Sequence, residues 1–402
     1  MIAVVLGAAG RASDQGGPAS EAWARWTAGL AALGERLAAD DFPNDPLGRA
    51  EGIRHLARQA NLALQGELEH SDPEHPRLHR YELPWSQWGA PNPDNVYLRC
   101  AIDPDGDYVL RGQVEGVHEA LFSLIEGDMH LDENGVFAEK ALTDLEVGDD
   151  GVLLLSIGEN DRPGNHLCAT PDTRMLLIRT YAWDWAADPM PAFTIERVGT
   201  AGVPAPLPTE QQVADALDRA LRWVQRSIEH WAAYVAASRD LLEHNTFTPP
   251  NTPPGGAPSI AYGGGCWELG EHEALLVEHD APDAHYWNWS IHQLHWFDSG
   301  PWDERLMSCN GSQAHVDADG KVRVVISGDD PGTPNWLDTQ GKPLGMAVYR
   351  YVGARSKPVP EARVVPLAQL RAHLPAGHPE VGAAERRHQR AARYRAAQKR
   401  WS

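Results

Sequence analysis

From Tyr81 onward the chain breaks into short runs in which apolar and polar residues alternate, and each run ends at a turn signal. Side chains on a strand point alternately to opposite faces, so a period of two marks a half-buried strand. Clusters of Gly, Pro, Asn and Asp mark the turns between strands. The run Asn95-Val96-Tyr97-Leu98-Arg99-Cys100-Ala101 meets the turn Asp103-Pro104-Asp105-Gly106-Asp107 and returns from Tyr108 to Val114. Further runs lie at residues 120–125, 151–157, 174–181 and 193–198, with Asn134-Gly135 and Arg162-Pro163-Gly164 between them. The pattern resumes at residues 274–278, 286–297, 314–316, 322–327 and 346–352, with Asp317-Ala318-Asp319-Gly320 as another turn. Many short strands joined in this way predict antiparallel sandwiches.

Helical spacing appears in four places. Ser20 is a good N-cap, and behind it Trp23, Trp26, Leu30, Leu33 and Leu37 step by three and four. Residues 47–69 carry Ile53, Leu56, Ala60 and Leu64 on one stripe, which predicts a helical hairpin with the first helix. Thr209 caps a long helix ending near Asn245, with Val213, Leu217, Leu221, Val224, Ile228, Trp231 and Val235 on one face. The tail from Pro379 is helical and basic, with Arg386, Arg387, Arg390, Arg393, Arg395, Lys399 and Arg400. The expected fold is mainly β with helical additions: two antiparallel β-sandwich-like, jelly-roll-like halves joined by the long helix, with an N-terminal helical hairpin and a basic C-terminal helix. The expected segments are 1–80 (leader and hairpin), 81–204 (first β domain), 205–256 (linking helix and Pro-rich connector), 257–378 (second β domain) and 379–402 (tail).

Charge narrows the partners. With 35 basic and 56 acidic residues the formal net charge is −21, and a surface that acidic repels phosphate backbones, so nucleic acid is not an expected partner. The basic tail is expected to lie on the acidic surface of its own or a neighbouring subunit, which makes a homo-oligomer one expectation. Cys100, Cys168, Cys266 and Cys309 are far apart and form no C-x-x-C pair, which points to reduced thiols and a cytoplasmic setting. No apolar run is long enough to span a bilayer, so no membrane partner is expected. The opening Ile2-Ala3-Val4-Val5-Leu6 lacks a basic region before it, and Gly7-Ala8-Ala9-Gly10 lacks the dinucleotide-loop spacing, so the start reads as a poorly ordered leader. Gly263-Gly264-Gly265 has no helix signal behind it and reads as shaping a loop.

Residues 286–351 resemble the C-terminal domain catalogued as domain of unknown function 1214. The resemblance rests on Tyr286-Trp287 opening a strand, Asp319-Gly320 before Val324-Val325-Ile326-Ser327-Gly328, Pro334-Asn335-Trp336-Leu337, and Tyr349-Arg350-Tyr351. Asn92-Pro93-Asp94-Asn95-Val96-Tyr97 is similar to the Asn-x-Asp-Thr-x-Tyr signature of its partner domain, number 1254, with Asn95 in place of Thr. The resemblance implies β-sandwich domains and brings no activity, cofactor or catalytic residue.

The chemistry is read from strand faces. In the run from Tyr286, one face carries Tyr286, Asn288, Ser290, His292, Leu294 and Trp296, a row of amide, hydroxyl and imidazole with aromatic ends. A buried row of that kind finds partners or faces a cavity. Asn95, Tyr97 and Arg99 share a face of the earlier run, where Arg99 is either a fixed cation for a carboxylate or the partner of an acid. Arg350 lies between Val348 and Val352 and so is expected to be buried beside a partner such as Asp94 or Asp329. The candidate catalytic residues are His292, Asp94 and Tyr97. The candidate substrate-binding residues are Arg99, Asn95, Asn288, Trp296, Arg350 and Trp336. No metal and no cofactor is expected. The functional expectation is a cofactor-independent acid/base enzyme, hydrolase or lyase, acting on a hydrophobic or cyclic small molecule in an aromatic-lined pocket. The alternatives are a non-catalytic small-molecule or carbohydrate-binding sandwich and a structural protein that assembles through its tail.

Overall fold

The computed structural model describes residues 16–39, 41–43 and 45–400; the leader at residues 1–10 lies outside them. The chain opens with α1 (Pro18–Arg36) and α2 (Pro46–Leu64). Asp45 caps α2 by accepting from the backbone N–H of Leu47 and Gly48, and Pro46 occupies a first-turn position that has no use for an N–H. Of the expected α1 stripe, Trp26, Leu33 and Leu37 are buried while Trp23 stays 56% exposed, because only one ridge packs inward.

The first half is built from β1 (His79–Arg80), β2 (Asn95–Ala101), β3 (Tyr108–Gln113), β4 (Glu119–Ile125), β5 (Val136–Ala141), β6 (Val152–Gly158), β7 (His166–Cys168), β8 (Met175–Tyr181) and β9 (Ala192–Arg197). They form one sheet in the order β1-β2-β8-β4-β5 and a second in the order β7-β6-β3-β9. The facing apolar residues, among them Tyr108, Leu110, Phe122, Leu155 and Ile178, make the sandwich core. All pairings are antiparallel except β6 with β7. Helix α3 (Glu210–Leu241) follows, started by a capping box in which Thr209 accepts from Gln212 N and Gln212 accepts from Thr209 N. Its 32 residues run about 48 Å, long enough to lie along both halves.

The second half contains β10 (Ile260–Glu268), β11 (Glu273–Asp280), β12 (Ala284–His292), β13 (Ser308–Asn310), β14 (Lys321–Ser327), β15 (Trp336–Asp338), β16 (Leu344–Ala354) and β17 (Glu361–Pro366). The sheets run β10-β16-β12-β13 and β15-β14-β11-β17, with Trp287, Trp289, Ile291, Val324 and Tyr349 in the core between them. The fold is therefore mainly β, with two sandwich-like halves, an opening helix pair, a long linking helix and a C-terminal helix.

Three expectations are corrected by packing. Gly263, Gly264 and Gly265 lie inside β10, not in a loop. A Cβ on Gly263 would sit 2.2 Å from Tyr349 Cζ and one on Gly265 1.9 Å from Thr246 O, so these glycines let a ring and a passing backbone close on the strand. Strand β12 stops at His292, short of the expected Phe297. There the chain turns, Phe297 N–H donates to Gln293 O, and Phe297 itself takes φ 50°. Residues 314–316 make only an isolated bridge, Val316 to Val322.

The basic tail is α4 (Ala383–Lys399). It meets acids of its own chain at two points, Arg386 with Asp330 and Arg390 with Asp338, but most of its buried side lies on tryptophans. Arg386, Arg393 and Arg400 are buried in a Trp-lined groove, with Arg386 5.0 Å from the Trp336 ring, and Arg393 and Arg400 4.2 and 4.8 Å from the Trp185 ring. Asp330 pairs with Arg386, and backbone carbonyls of Trp302, Ser308, Thr333 and Pro93 accept from the three guanidiniums. Trp185 belongs to the first half and Trp336 to the second, so α4 straps the two together. No helix of the described residues is long and apolar enough to cross a membrane.

Candidate functional site: a cavity between the sandwiches

One sheet of each sandwich turns its outer face toward the other half. In the first half, Tyr97 of β2 is level with Arg179 of β8, and Asn95 with Tyr181. In the second, Arg350 of β16 stands between Tyr262 of β10 and Asn288 of β12, and Val348 between Gly264 and Ser290. The two faces do not close completely. They leave a cavity of about 580 Å³ whose polar wall includes Asn95, Tyr97, Arg179, Tyr181, Tyr262 and Arg350. Its apolar wall includes Trp88, Trp231, Phe297, Met346 and Val348. Trp231 meets Trp88 and Phe297 with ring centroids 5.2 and 5.1 Å apart, a continuous aromatic lining. The last turn of α3, at Ala237 and Leu241, and the Pro-rich connector, at Pro253 to Gly256, border the cavity. Leu241 is 82% exposed, an apolar lip at the mouth.

The polar wall is organised around Arg350. Its guanidinium donates to Ser290 Oγ at 2.8 Å and to Ala90 O at 2.7 Å, and it forms no ion pair among the described residues. Ser290 Oγ and His292 Nε2 are 2.9 Å apart, and His292 Nδ1 and Ser299 Oγ 2.8 Å apart. Ser299 Oγ donates to Pro91 O, which leaves it as acceptor toward His292 Nδ1–H. The chain of donors is then Arg350 to Ser290 to His292 to Ser299 to Pro91, with a neutral imidazole as its middle link. Burial, reinforced by the nearby Arg350 charge, holds the His292 pKa well below the usual imidazole value.

On the facing sheet Arg179 donates to Ser123 Oγ at 3.0 Å and lies 4.0 Å from Glu139. Glu82, also on the wall, accepts from Trp88 N at 3.1 Å. Burial pushes its carboxyl well above the usual carboxylate range, against the opposing pull of that hydrogen bond and of Arg99. A smaller hollow of about 80 Å³ adjoins the cavity and shares Tyr81, Trp88, Met129, Arg179 and Gly255 with it.

The expected site residues separate into four groups. Asn95, Tyr97 and Arg350 line the cavity. Arg350 does so without the acidic partner expected for it: neither Asp94 nor Asp329 reaches it, and Ser290 and Ala90 take its donors. Asn288, Asp94 and His292 face the right way but do not line it. The segment before β2 fills the space in front of β12, so Asp94 accepts from Trp185 Nε1 at 2.6 Å, Tyr286 OH at 2.5 Å and Asn288 Nδ2 at 3.2 Å. Asp94 is thus the hub of a closed interface network. Arg99 is the partner of an acid: it donates to both Asp128 oxygens at 3.0 and 3.1 Å and lines only the smaller hollow.

Trp296 and Trp336 lie elsewhere. With β12 ended at His292, Trp296 no longer shares the strand's face; it stacks on Phe42 at 5.4 Å and on His55 at 5.2 Å in the helical core. Trp336 lies under α4. The residues missed were Arg179, Tyr262, Glu82 and Trp231. Arg179 carried the same signal as Arg350, an arginine at mid-strand between large apolar neighbours; Tyr262 sat in a strand hidden by its glycines.

No family model matches the chain, and no curated protein matches it. Among solved structures, an uncharacterized protein from Burkholderia cenocepacia is 31% identical, with a TM-score of 0.80 over 87% of this chain and 97% of that one. The chain belongs to that protein's family. A Vibrio parahaemolyticus protein shows a looser likeness, 13% identity and a TM-score of 0.43 over 70% of this chain and 92% of that one. Membership of the Burkholderia protein's family extends the two-sandwich architecture to nearly the whole of that relative.

Proposed function

We propose that the protein binds a hydrophobic, ring-bearing small molecule in the cavity between its sandwiches, and that its second half belongs to the family catalogued as domain of unknown function 1214. The observation that carries the binding reading is the enclosure of aromatic side chains around about 580 Å³ of space, a volume in the range of drug-sized ligand sites. Because Trp88, Trp231 and Phe297 surround a hollow and do not form an open platform, they favour a small molecule over a carbohydrate surface. Four unpaired thiols, three of them buried, support a reducing, cytoplasmic setting.

The test is a fluorescence titration with the neutral apolar probe N-phenylnaphthylamine. Saturable binding is expected in the parent protein. Ala237→Trp, at an exposed helical position on the rim, is expected to weaken binding about tenfold or more and to leave the melting temperature unchanged. Equal affinity in the two proteins, or none in the parent, would remove the cavity as the site.

A second reading, an acid/base hydrolase or lyase working without a cofactor, is favoured by Glu82. A carboxyl whose pKa is raised by burial on the wall of an apolar cavity is suited to donate a proton to a leaving group. In this reading His292 is a positioning residue that acts through Ser290 on Arg350. With a panel of aryl esters and lactones, Glu82→Gln is expected to lower kcat about a hundredfold or more with probe binding retained. His292→Gln is expected to raise KM more than it lowers kcat. Full activity in Glu82→Gln would sink the enzyme reading and leave the binding one.

A further inference from the structure

Resting on the cavity reading above, we infer that the ligand carries one negative charge, an oxyacid head group such as a carboxylate or sulfonate, held between Arg350 and Arg179 with its apolar body against the aromatic wall. The two guanidiniums come from facing sheets to the same cavity. Arg350 is only 6% exposed, its hydrogen bonds go to a hydroxyl and a backbone carbonyl, and it pairs with no acid among the described residues. Arg179 has one carboxylate near it, Glu139, 4.0 Å away. That carboxylate is already engaged, by Ser123 Oγ at 2.9 Å and by the N–H and hydroxyl of Ser259 at 3.0 and 2.7 Å.

The other ionisable groups around the cavity do not change the balance. Arg99 and Asp128 cancel each other in the adjoining hollow, where Glu133, its pKa raised by burial, lies on the wall away from the cavity itself. Burial raises the Glu82 pKa and lowers that of His230, in each case favouring the neutral form. Two cations and one carboxylate therefore leave a single positive charge in a largely apolar space. An uncompensated buried charge is costly, and an entering anion supplies the missing partner together with charge-assisted hydrogen bonds. The positive site is also opposite in sign to the chain as a whole, whose net charge is −21, so it is a local feature and not a by-product of a basic surface. Guanidinium forks suit planar oxyanions, and the Trp88 and Trp231 rings suit a ring-bearing body.

The test pairs two probes that differ in charge, anilinonaphthalenesulfonate and neutral N-phenylnaphthylamine, each titrated against the full chain. The sulfonate is expected to bind the parent more tightly than the neutral probe. Arg350→Met and Arg179→Met are each expected to lower the sulfonate-to-neutral affinity ratio about tenfold or more. Arg350→Lys, which keeps the charge and loses the fork, is expected to fall between. Ala237→Trp must weaken both probes, which shows that the sulfonate sits in the cavity. A sulfonate-to-neutral affinity ratio that is the same in the parent and in the arginine variants overturns the head-group inference while the cavity reading stands. Failure of both probes to bind the parent overturns both. If Arg350→Met does not fold, as judged by loss of neutral-probe binding and of near-ultraviolet dichroism, Arg179→Met decides the outcome alone.

Discussion

Asp94→Ala is expected to destabilise the protein by about 3–5 kcal/mol, read as a lowered midpoint of urea denaturation followed by tryptophan fluorescence. Asp94 is wholly buried and accepts hydrogen bonds from Trp185, Tyr286 and Asn288, which come from both halves of the molecule. Alanine would leave the Trp185 indole N–H without an acceptor in a buried space, and would leave the Tyr286 hydroxyl and the Asn288 amide with Asn92 Oδ1 alone, at 3.3 and 2.7 Å. Removal of one partner from a buried network costs far more than the same hydrogen bonds contribute on the surface. Burial raises the Asp94 pKa, and the hydrogen bonds from Tyr286 and Trp185 oppose the rise only in part. Asp94→Asn keeps the shape and one acceptor oxygen, and its loss is expected to be about half as large or less. An alanine variant within about 1 kcal/mol of the parent would show that the network does not join the halves.

Truncation after Gly382 is expected to abolish cooperative folding of the second half, a loss above about 5 kcal/mol. It removes three buried arginines, uncovers Trp185 and Trp336, and leaves the carbonyls of Trp302 and Ser308 without donors. Burial draws Arg393 and Arg400 down to about 10, still charged at neutral pH, so these guanidiniums act as cations over indole rings. The expected readouts are loss of near-ultraviolet dichroism and recovery of the truncated chain in aggregates. A truncated chain that melts like the parent would end the strap interpretation. Assembly through the tail is tested by a different change, Arg387→Glu with Arg395→Glu. Both positions are exposed, and the pair leaves the buried face of α4 intact, so a change in solution mass would report a partner contact and not unfolding.

Much of the architecture was legible because periodicity is local. The alternation around Asn95, Tyr108 and Val324, the turn at Asp103 to Asp107 and the capped helix at Thr209 each follow from residues within a few positions of one another. Strand β10 was illegible for the opposite reason. Its three glycines look like a loop until Tyr349 and Thr246, distant in sequence, are seen to need the space. The tail was half legible: the helix was visible, but hydropathy assigns arginine to solvent and cannot foresee Trp185, Trp302 and Trp336 as a groove for it.

The candidate site divides along the same line. Alternation alone determined that Tyr97, Asn288, His292 and Arg350 point away from the sandwich cores, and every one of them faces the boundary between the halves. Which part of that boundary is open could only be decided by how the halves dock. The backbone around Asn92 and Asp94 fills the space before β12, while Gly264 of β10 and the neighbouring Val348 of β16 leave room beside Arg350. Orientation is a property of each strand's own backbone, whereas empty volume is what remains after every distant segment has packed.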